Sequence, residues 1–427
     1  MKSRTNSTTS SSLQQNSETL SNIRQYLFNI PESKYLPPEV WTQILSSLPA
    51  KTLLQFRCVC KSWYSIIDNP DFIHLHFQHC KINSGNNKLL LALESFGEGN
   101  KDKRRLFTIH EAETWEGNQE GWVLTVREAE TLENTSVIFR KPDSYSYHIK
   151  SSCNGLLLVG RYGPRFHDEL KLWNPCIRKS LLLPTCPLSL PRATRYYLLG
   201  FAPHSKDYKV VAFACESSQD TDIQPRKMHS AVYTLRDQLW TVKNPITTCI
   251  VLDLYSLSTA VFFRGATYWL LRNHNQSTEL SHLGSFDFDK EIINLLELPF
   301  SLDETGFVRF LFLLGGSLAV FSISQVTSSI WVLEQDNEKR PWTRWFSGKS
   351  TWDAHQLFLG EKCSYQKVFY YESDGGYFVC GNMAYNIASG QVHPLKRYMS
   401  SHLKLETYSE SLVLSKGYEA PDSRDFP

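Results

Sequence analysis

Apolar positions recur at helical spacing from Leu36 to Ile67, where 17 of 32 residues are apolar. Val40, Ile44 and Leu48 step by four with Leu45 beside them, so a first helix has one apolar face. Pro37 and Pro38 suit its first turn, which has no intrahelical use for the N–H groups they lack. Leu48-Pro49 ends it, because a residue before proline is pushed out of the α region. Leu53, Leu54 and Phe56 open a second short helix. Val59, Trp63 and Ile66 or Ile67 line a third, which Asp68-Asn69-Pro70 stops. Asp71 to Phe77 predicts a further short, solvated linker helix capped by Asp71.

The pattern changes near Lys88. Short β-type runs such as GLLLV (155–159), YKVVAF (208–213) and ATYWLL (266–271) alternate with polar turns to about residue 412. The run Phe310–Phe321 is apolar except for its centre, where Gly315-Gly316 predicts a hairpin turn between two buried strands. A loose repeat organises these strands into five units marked by Gly155, Gly200, Gly265, Gly315 and Gly375, spaced 45, 65, 50 and 60 residues apart. That is the scale of four-stranded propeller blades, about six or seven of them, with insertions. Trp173 is sized to lock adjacent blades, and Asn174-Pro175 starts a turn. The expected fold class is an α+β multidomain chain, a small three-helix unit followed by a large all-β, propeller-like domain. The expected boundaries are a leader at 1–33, helices at 34–80, a linker at 81–87, the β domain at 88–412 and a polar tail at 413–427. The two folded parts are expected to fold separately.

Three helices of this length cannot bury so much apolar side chain among themselves, since units below roughly 40 residues usually need a staple or a partner. The excess is therefore a binding surface. Leu36-Pro37-Pro38-Glu39-Val40, Ile44-Leu45, Leu48-Pro49, Lys51, Leu53, Phe56-Arg57, Val59-Cys60-Lys61, Trp63 and Ile67 resemble an F-box at nearly every signature position. In that family the motif docks on a Skp-type adaptor and, through it, on a cullin and a RING protein. Resemblance and apolar excess together assign the adaptor contact to Leu36, Pro37, Pro38, Ile44, Leu45, Leu48, Pro49, Leu53, Val59 and Trp63. The order Cys153-Asn154-Gly155-Leu156-Leu157, Leu172-Trp173-Asn174-Pro175, Gly200-Phe201 and Tyr208-Lys209-Val210-Val211 resembles the F-box-associated, kelch-related domain of plant F-box proteins. So does Gly265 to Trp269 followed by Phe286-Asp287.

Composition narrows the function classes. A net charge of +2 points to no nucleic-acid or membrane partner. The longest apolar run is 12 residues, shorter than the roughly 20 that span a bilayer. Residues 1–33 are rich in Ser, Thr, Asn and Gln and read as a disordered leader without a secretory core. The expected location is cytoplasmic and/or nuclear. Ten cysteines include no C-x-x-C pair, so they are expected as small buried hydrophobes rather than metal ligands or disulfides.

No cofactor and no catalytic residue is expected. His74, His76 and His79 lack the i, i+4 spacing of a helical metal pair. His167-Asp168-Glu169, the pair Asp287 and Asp289, and the basic run Lys101–Arg105 read as solvated loops. The resemblance implies a substrate-recognition subunit of an SCF-type ubiquitin ligase, with an unknown substrate protein captured by propeller loops. The long polar insertions 94–105, 111–121, 216–227 and 273–281 are the candidates for that capture. The alternative from another class is a carbohydrate-binding or hydrolytic propeller with a vestigial F-box.

Overall fold

The computed structural model describes residues 36–83, 89–93, 106–114, 122–128, 148–162, 168–174, 176–177, 179–188, 195–215, 226–248, 250–251, 259–273, 280–298, 308–324, 326–334, 342–349, 368–371, 377–380, 383–386, 389, 392–394 and 404–415. Helix α1 spans Pro38–Ser46, with Pro37 extended (φ −52°, ψ 148°) as its N-cap. Pro49 does the same for α2, Ala50–Phe56. Proline is pre-set for both places and loses no hydrogen bond there. Helix α3, Lys61–Ile67, starts on Cys60, whose Sγ accepts the Trp63 N–H at 3.5 Å. Cys58 and Cys60 are thus exposed, and one of them is a cap rather than a buried hydrophobe. Helix α4 spans Pro70–Asn83. Its cap is Asn69, not Asp71, because Asn69 Oδ1 accepts the Asp71 N–H at 2.8 Å. Nor is α4 a solvated linker, since Phe72, His76 and Phe77 are buried.

Six antiparallel sheets follow among the described residues. The first joins the two ends of the β region: Lys404–Tyr408 pairs with Leu89–Leu93, which is followed by Leu106–Thr114 and Trp122–Glu128. The second runs His148–Cys153, Leu156–Tyr162, Asp168–Asn174 and Lys179–Leu182. The third runs Arg195–Ala202, Asp207–Cys215, Arg226–Thr234 and Leu239–Val242, with Ile246–Thr248 also on Arg226–Thr234. In the fourth, Ile250–Val251 and Val261–Phe263 pair with Ala266–Asn273, which continues into Leu280–Asp287 and Ile292–Glu297. The fifth runs Val308–Leu314, Ser317–Ile323, Thr327–Leu333 and Trp342–Lys349. The sixth runs Val368–Tyr371, Tyr377–Cys380, Met383–Asn386 and Val392–Pro394. His148–Cys153 lies against Arg195–Ala202, which lies against Ala266–Asn273; Val261–Phe263 and Ala266–Asn273 lie against Val308–Leu314, which lies against Val368–Tyr371; and Lys404–Tyr408 lies against His148–Cys153. This is a propeller-like arrangement in which a C-terminal strand completes the first sheet and removes an open edge.

The turns explain which repeat markers work. Asn154-Gly155, Arg264-Gly265 and Gly315-Gly316 are two-residue hairpin loops with positive φ at both positions. That backbone twist matches the strands it joins, and it favours Asn and Gly. Gly200 is different. It lies within a strand, and the turn of its sheet is Pro203 to Lys206, with Lys206 at φ 51°. Gly200 is small because a Cβ there would meet the Phe288 ring at 2.0 Å. The 65-residue gap in the marker series is partly this misplacement. Gly375 lies outside the described residues.

Side chains cross between sheets at the rim. Trp240 Nε1 donates to Pro184 O at 2.9 Å, and Trp342 Nε1 donates to Glu297 O at 3.2 Å. Each tryptophan ties the outer strand of one sheet to chain from the preceding sheet. Trp173, the residue expected in that role, is fully buried. Lys209 Nζ donates to Phe288 O and to Glu291 Oε1, both at 2.8 Å, and joins the third sheet to the fourth.

Candidate docking face

The helices lie against one end of the sheets. Leu45, Ala50, Leu53, Trp63, Ile67 and Phe72 share a core with Cys153, Leu156, Leu158, Tyr197, Phe201 and Leu412. Trp63 sits at its helical centre, with the Trp41 and Phe56 rings each 5.1 Å away between centroids. Polar contacts frame the junction. Arg57 Nε is 2.9 Å from Asp68 Oδ1, and Arg57 Nη1 donates to Ser415 O at 3.0 Å. The Ala50 N–H donates to Glu410 Oε2 at 3.0 Å. His74 stacks on Phe201 at 5.5 Å, and Lys206 pairs with Asp71. That ammonium holds the exposed Asp71 carboxyl below its ordinary range. The expectation of two separately folding parts therefore meets a common core. Residues 413–415, expected as the start of a polar tail, are buried in it.

His76 Nε2 donates to Leu48 O at 2.8 Å, which fixes the end of α1 against α4. Burial pulls the His76 pKa below its ordinary value; the Leu48 carbonyl and Glu410 act in the opposite direction. Burial likewise pushes the neighbouring Cys80 thiol up to about 11. Among the described residues no group of His, Cys, Asp and Glu is placed to hold a metal ion.

The ten sequence-assigned contact residues divide into two sets. Leu36 and Ile44 are 43% and 42% exposed, and Pro37, Pro38 and Pro49 are exposed beside them. Leu48 and Val59 are half-buried. Leu45, Leu53 and Trp63 are buried at 0%, 0% and 7% exposure. These three have no surface to offer, because the same apolar stripe that faces a partner in one arrangement faces the chain's own sheets here. The outward side of α1 carries the half-buried Val40 and the exposed Ile44, four residues apart, and the exposed Leu36 lies just before the N-cap Pro37. Tyr64 and Leu75, 49% and 39% exposed, were not singled out from sequence. Tyr64 carries the Arg57 guanidinium 5.0 Å over its ring.

The other sequence candidates have structural work. Asp287 Oδ1 accepts the Asp289 and Lys290 N–H groups at 2.9 Å, and Asp289 accepts the His204 N–H at 3.1 Å. Glu169 pairs with Lys171 at 3.2 Å. His167 and Lys101–Arg105 lie outside the described residues.

Register fixes the end of the sheets from which each insertion leaves. Phe201, Lys206 and the Asn154-Gly155 turn lie at the helical end. Cys215 and Arg226 lie a strand length away, roughly 25–30 Å. Leu93 and Leu106 share that remote end, as do Asn273 and Leu280, whereas Thr114 and Trp122 end on the helical side.

The chain matches the F-box domain family over residues 35–75 and the F-box associated beta propeller domain family over residues 123–412. The second match covers more than half of the chain, which therefore belongs to the F-box associated beta propeller family. Relatives are found in Arabidopsis thaliana. F-box/kelch-repeat protein At3g23880 is 23% identical over 88% of this chain and 95% of its own length. F-box/kelch-repeat protein At3g17530 is 24% identical over 62% of this chain, which spans only 61% of that relative. F-box protein CPR1 is 22% identical over 73% of this chain and 72% of its own length. Among solved structures, TolB from Acinetobacter baumannii aligns with a TM-score of 0.36 and 8% identity over 78% of this chain and 71% of that one. A score that low carries no functional argument.

Proposed function

We propose that the chain is the substrate-recognition subunit of an SCF-type cullin–RING ubiquitin ligase, working in the cytoplasm or nucleus. The observation that carries this is the exposure of Ile44 on α1 and of Leu36 just before that helix, although the opposite side of the same helices is sealed against the sheets. Large apolar side chains left exposed together beside a filled core offer a surface for a partner. The F-box family match supports a Skp-type adaptor as that partner. Leu36, Pro37, Pro38, Ile44 and Pro49 make the contact directly, with Leu48 and Val59 at its margin. Leu45, Leu53 and Trp63 support it from beneath.

The remote end of the sheets, where Cys215, Arg226, Asn273 and Leu280 terminate their strands, faces a substrate protein. The chain contributes proximity, and the bond-making chemistry belongs to other subunits. Co-purification of the full chain with a Skp-type adaptor tests the reading. Binding that is lost on Leu36→Asp with Ile44→Glu supports it, and unchanged binding refutes the assigned face.

A further inference from the structure

After the closing strand Lys404–Tyr408 the chain runs on between the second sheet and the helices. On the sheet side, the buried Asn174 holds it: Nδ2 donates to Ser411 O and to Val413 O, both at 2.8 Å. Asn174 Oδ1 accepts the Cys176 N–H at 3.1 Å, so the side chain is locked by its own turn. The Asn154-Gly155 turn lies so close that a Cβ on Gly155 would be 2.2 Å from Ser409 O. On the helical side, Glu410 accepts the Ala50 N–H and Ser415 O accepts Arg57 Nη1, each at 3.0 Å. Between these anchors Leu412, Val413 and Leu414 are buried in the core that holds Leu45, Leu53 and Trp63.

Helices α2 and α3 have seven residues each. Helices that short are marginal in water without outside support. The support here comes from the other end of the chain.

We propose that residues 410–415 are the positioning element of the docking face, with Glu410 and Asn174 holding α1–α3 in the arrangement that presents Leu36 and Ile44. The proposal rests on the adaptor reading for its binding consequence, but not for its structural one.

The test uses the full chain with Glu410→Ala, Glu410→Gln and Asn174→Ala, and reads both adaptor affinity and amide hydrogen exchange. Loss of a hydrogen bond to a charged acceptor predicts adaptor binding about ten-fold weaker in Glu410→Ala. Glu410→Gln keeps an oxygen that accepts the Ala50 N–H and stays within about two-fold of the parent. Exchange across residues 50–67 speeds up in Glu410→Ala and Asn174→Ala, and stays unchanged in the fourth and fifth sheets. Parental exchange at 50–67 in both variants overturns the proposal. So do equal losses of affinity in Glu410→Gln and Glu410→Ala with unchanged exchange, since Glu410 would then be carrying charge to the partner. If the parent chain fails to bind any Skp-type adaptor, the adaptor reading falls and the exchange data alone decide the positioning role.

Discussion

The Ala50 N–H donates to Glu410 Oε2 at 3.0 Å, across 360 residues of chain. That bond lies beside a core shared by the helices and the second and third sheets. Helices and sheets that share a core in this way are expected to unfold together. Trp63→Ala removes the ring at the centre of the junction and is expected to cost about 3–5 kcal/mol, the range for a large buried aromatic. Thermal unfolding followed by both helical and β signals should show one transition moved to lower temperature. A separate helical transition, with the β transition unmoved, would contradict the shared core.

Much of this arrangement was legible in the sequence. Pro37 and Pro38 marked the start of α1 and Leu48-Pro49 its end, because proline's fixed φ acts locally, but that Pro49 also starts α2 was not read. Asn154-Gly155 and Gly315-Gly316 marked hairpins for the same reason: turn chemistry is written in the residues that make the turn. What was not legible depends on partners distant in sequence. The pairing of Lys404–Tyr408 with Leu89–Leu93 has no local signal, so neither the first sheet nor the buried segment 411–415 was anticipated. The face of Leu45, Leu53 and Trp63 was visible, but its occupant was not. Helical spacing reads the same whether the face meets another protein or the chain's own sheet. Gly200 reads in the sequence as one more repeat marker, whereas its smallness answers to the Phe288 ring.

Glycine at 200 and glycine at 315 should therefore respond differently to alanine. At Gly200 the added Cβ meets Phe288 at 2.0 Å, an overpacking expected to cost about 1–3 kcal/mol or more. At Gly315 nothing lies within 4 Å, and only the backbone at φ 54° resists, by about 1–2 kcal/mol. Chemical denaturation of the two variants compares them. Equal or reversed losses would show that the Gly200–Phe288 contact is not tight.

Acidification should loosen the junction through His76. Its folded pKa lies below the ordinary 6.5, chiefly from burial. The unfolded chain takes up the proton first as pH falls, so the stability tied to neutral His76 is complete above 6.5 and drains away below it. The facing groups are Glu410, His79, Cys80 and the Leu48 carbonyl. His76→Gln keeps a donor for Leu48 O and cannot titrate. The fall in Tm between about pH 7.5 and about pH 5.5 should be smaller in that variant than in the parent. Equal falls would remove His76 from the account.

The remote end should be separable from the docking face. Replacing residues 216–225 with a short Gly/Ser turn changes the connection between Cys215 and Arg226, a strand length from the helices. Tm and adaptor affinity are expected to stay at parental values while capture of a substrate changes. Weakened adaptor binding would show that the two ends of the sheets are coupled.

The central claim is that the outward side of α1, with Leu36 just before it, docks a Skp-type adaptor while the inward side belongs to the fold. Calorimetric titration of the purified full chain with the adaptor tests it most directly. Leu36→Asp with Ile44→Glu changes only exposed positions, so Tm should stay close to parental. Truncating or charging central contact residues at an interface costs about 2 kcal/mol or more, so affinity should fall at least about thirty-fold. Parental affinity in that double variant, with the fold intact, would contradict the account.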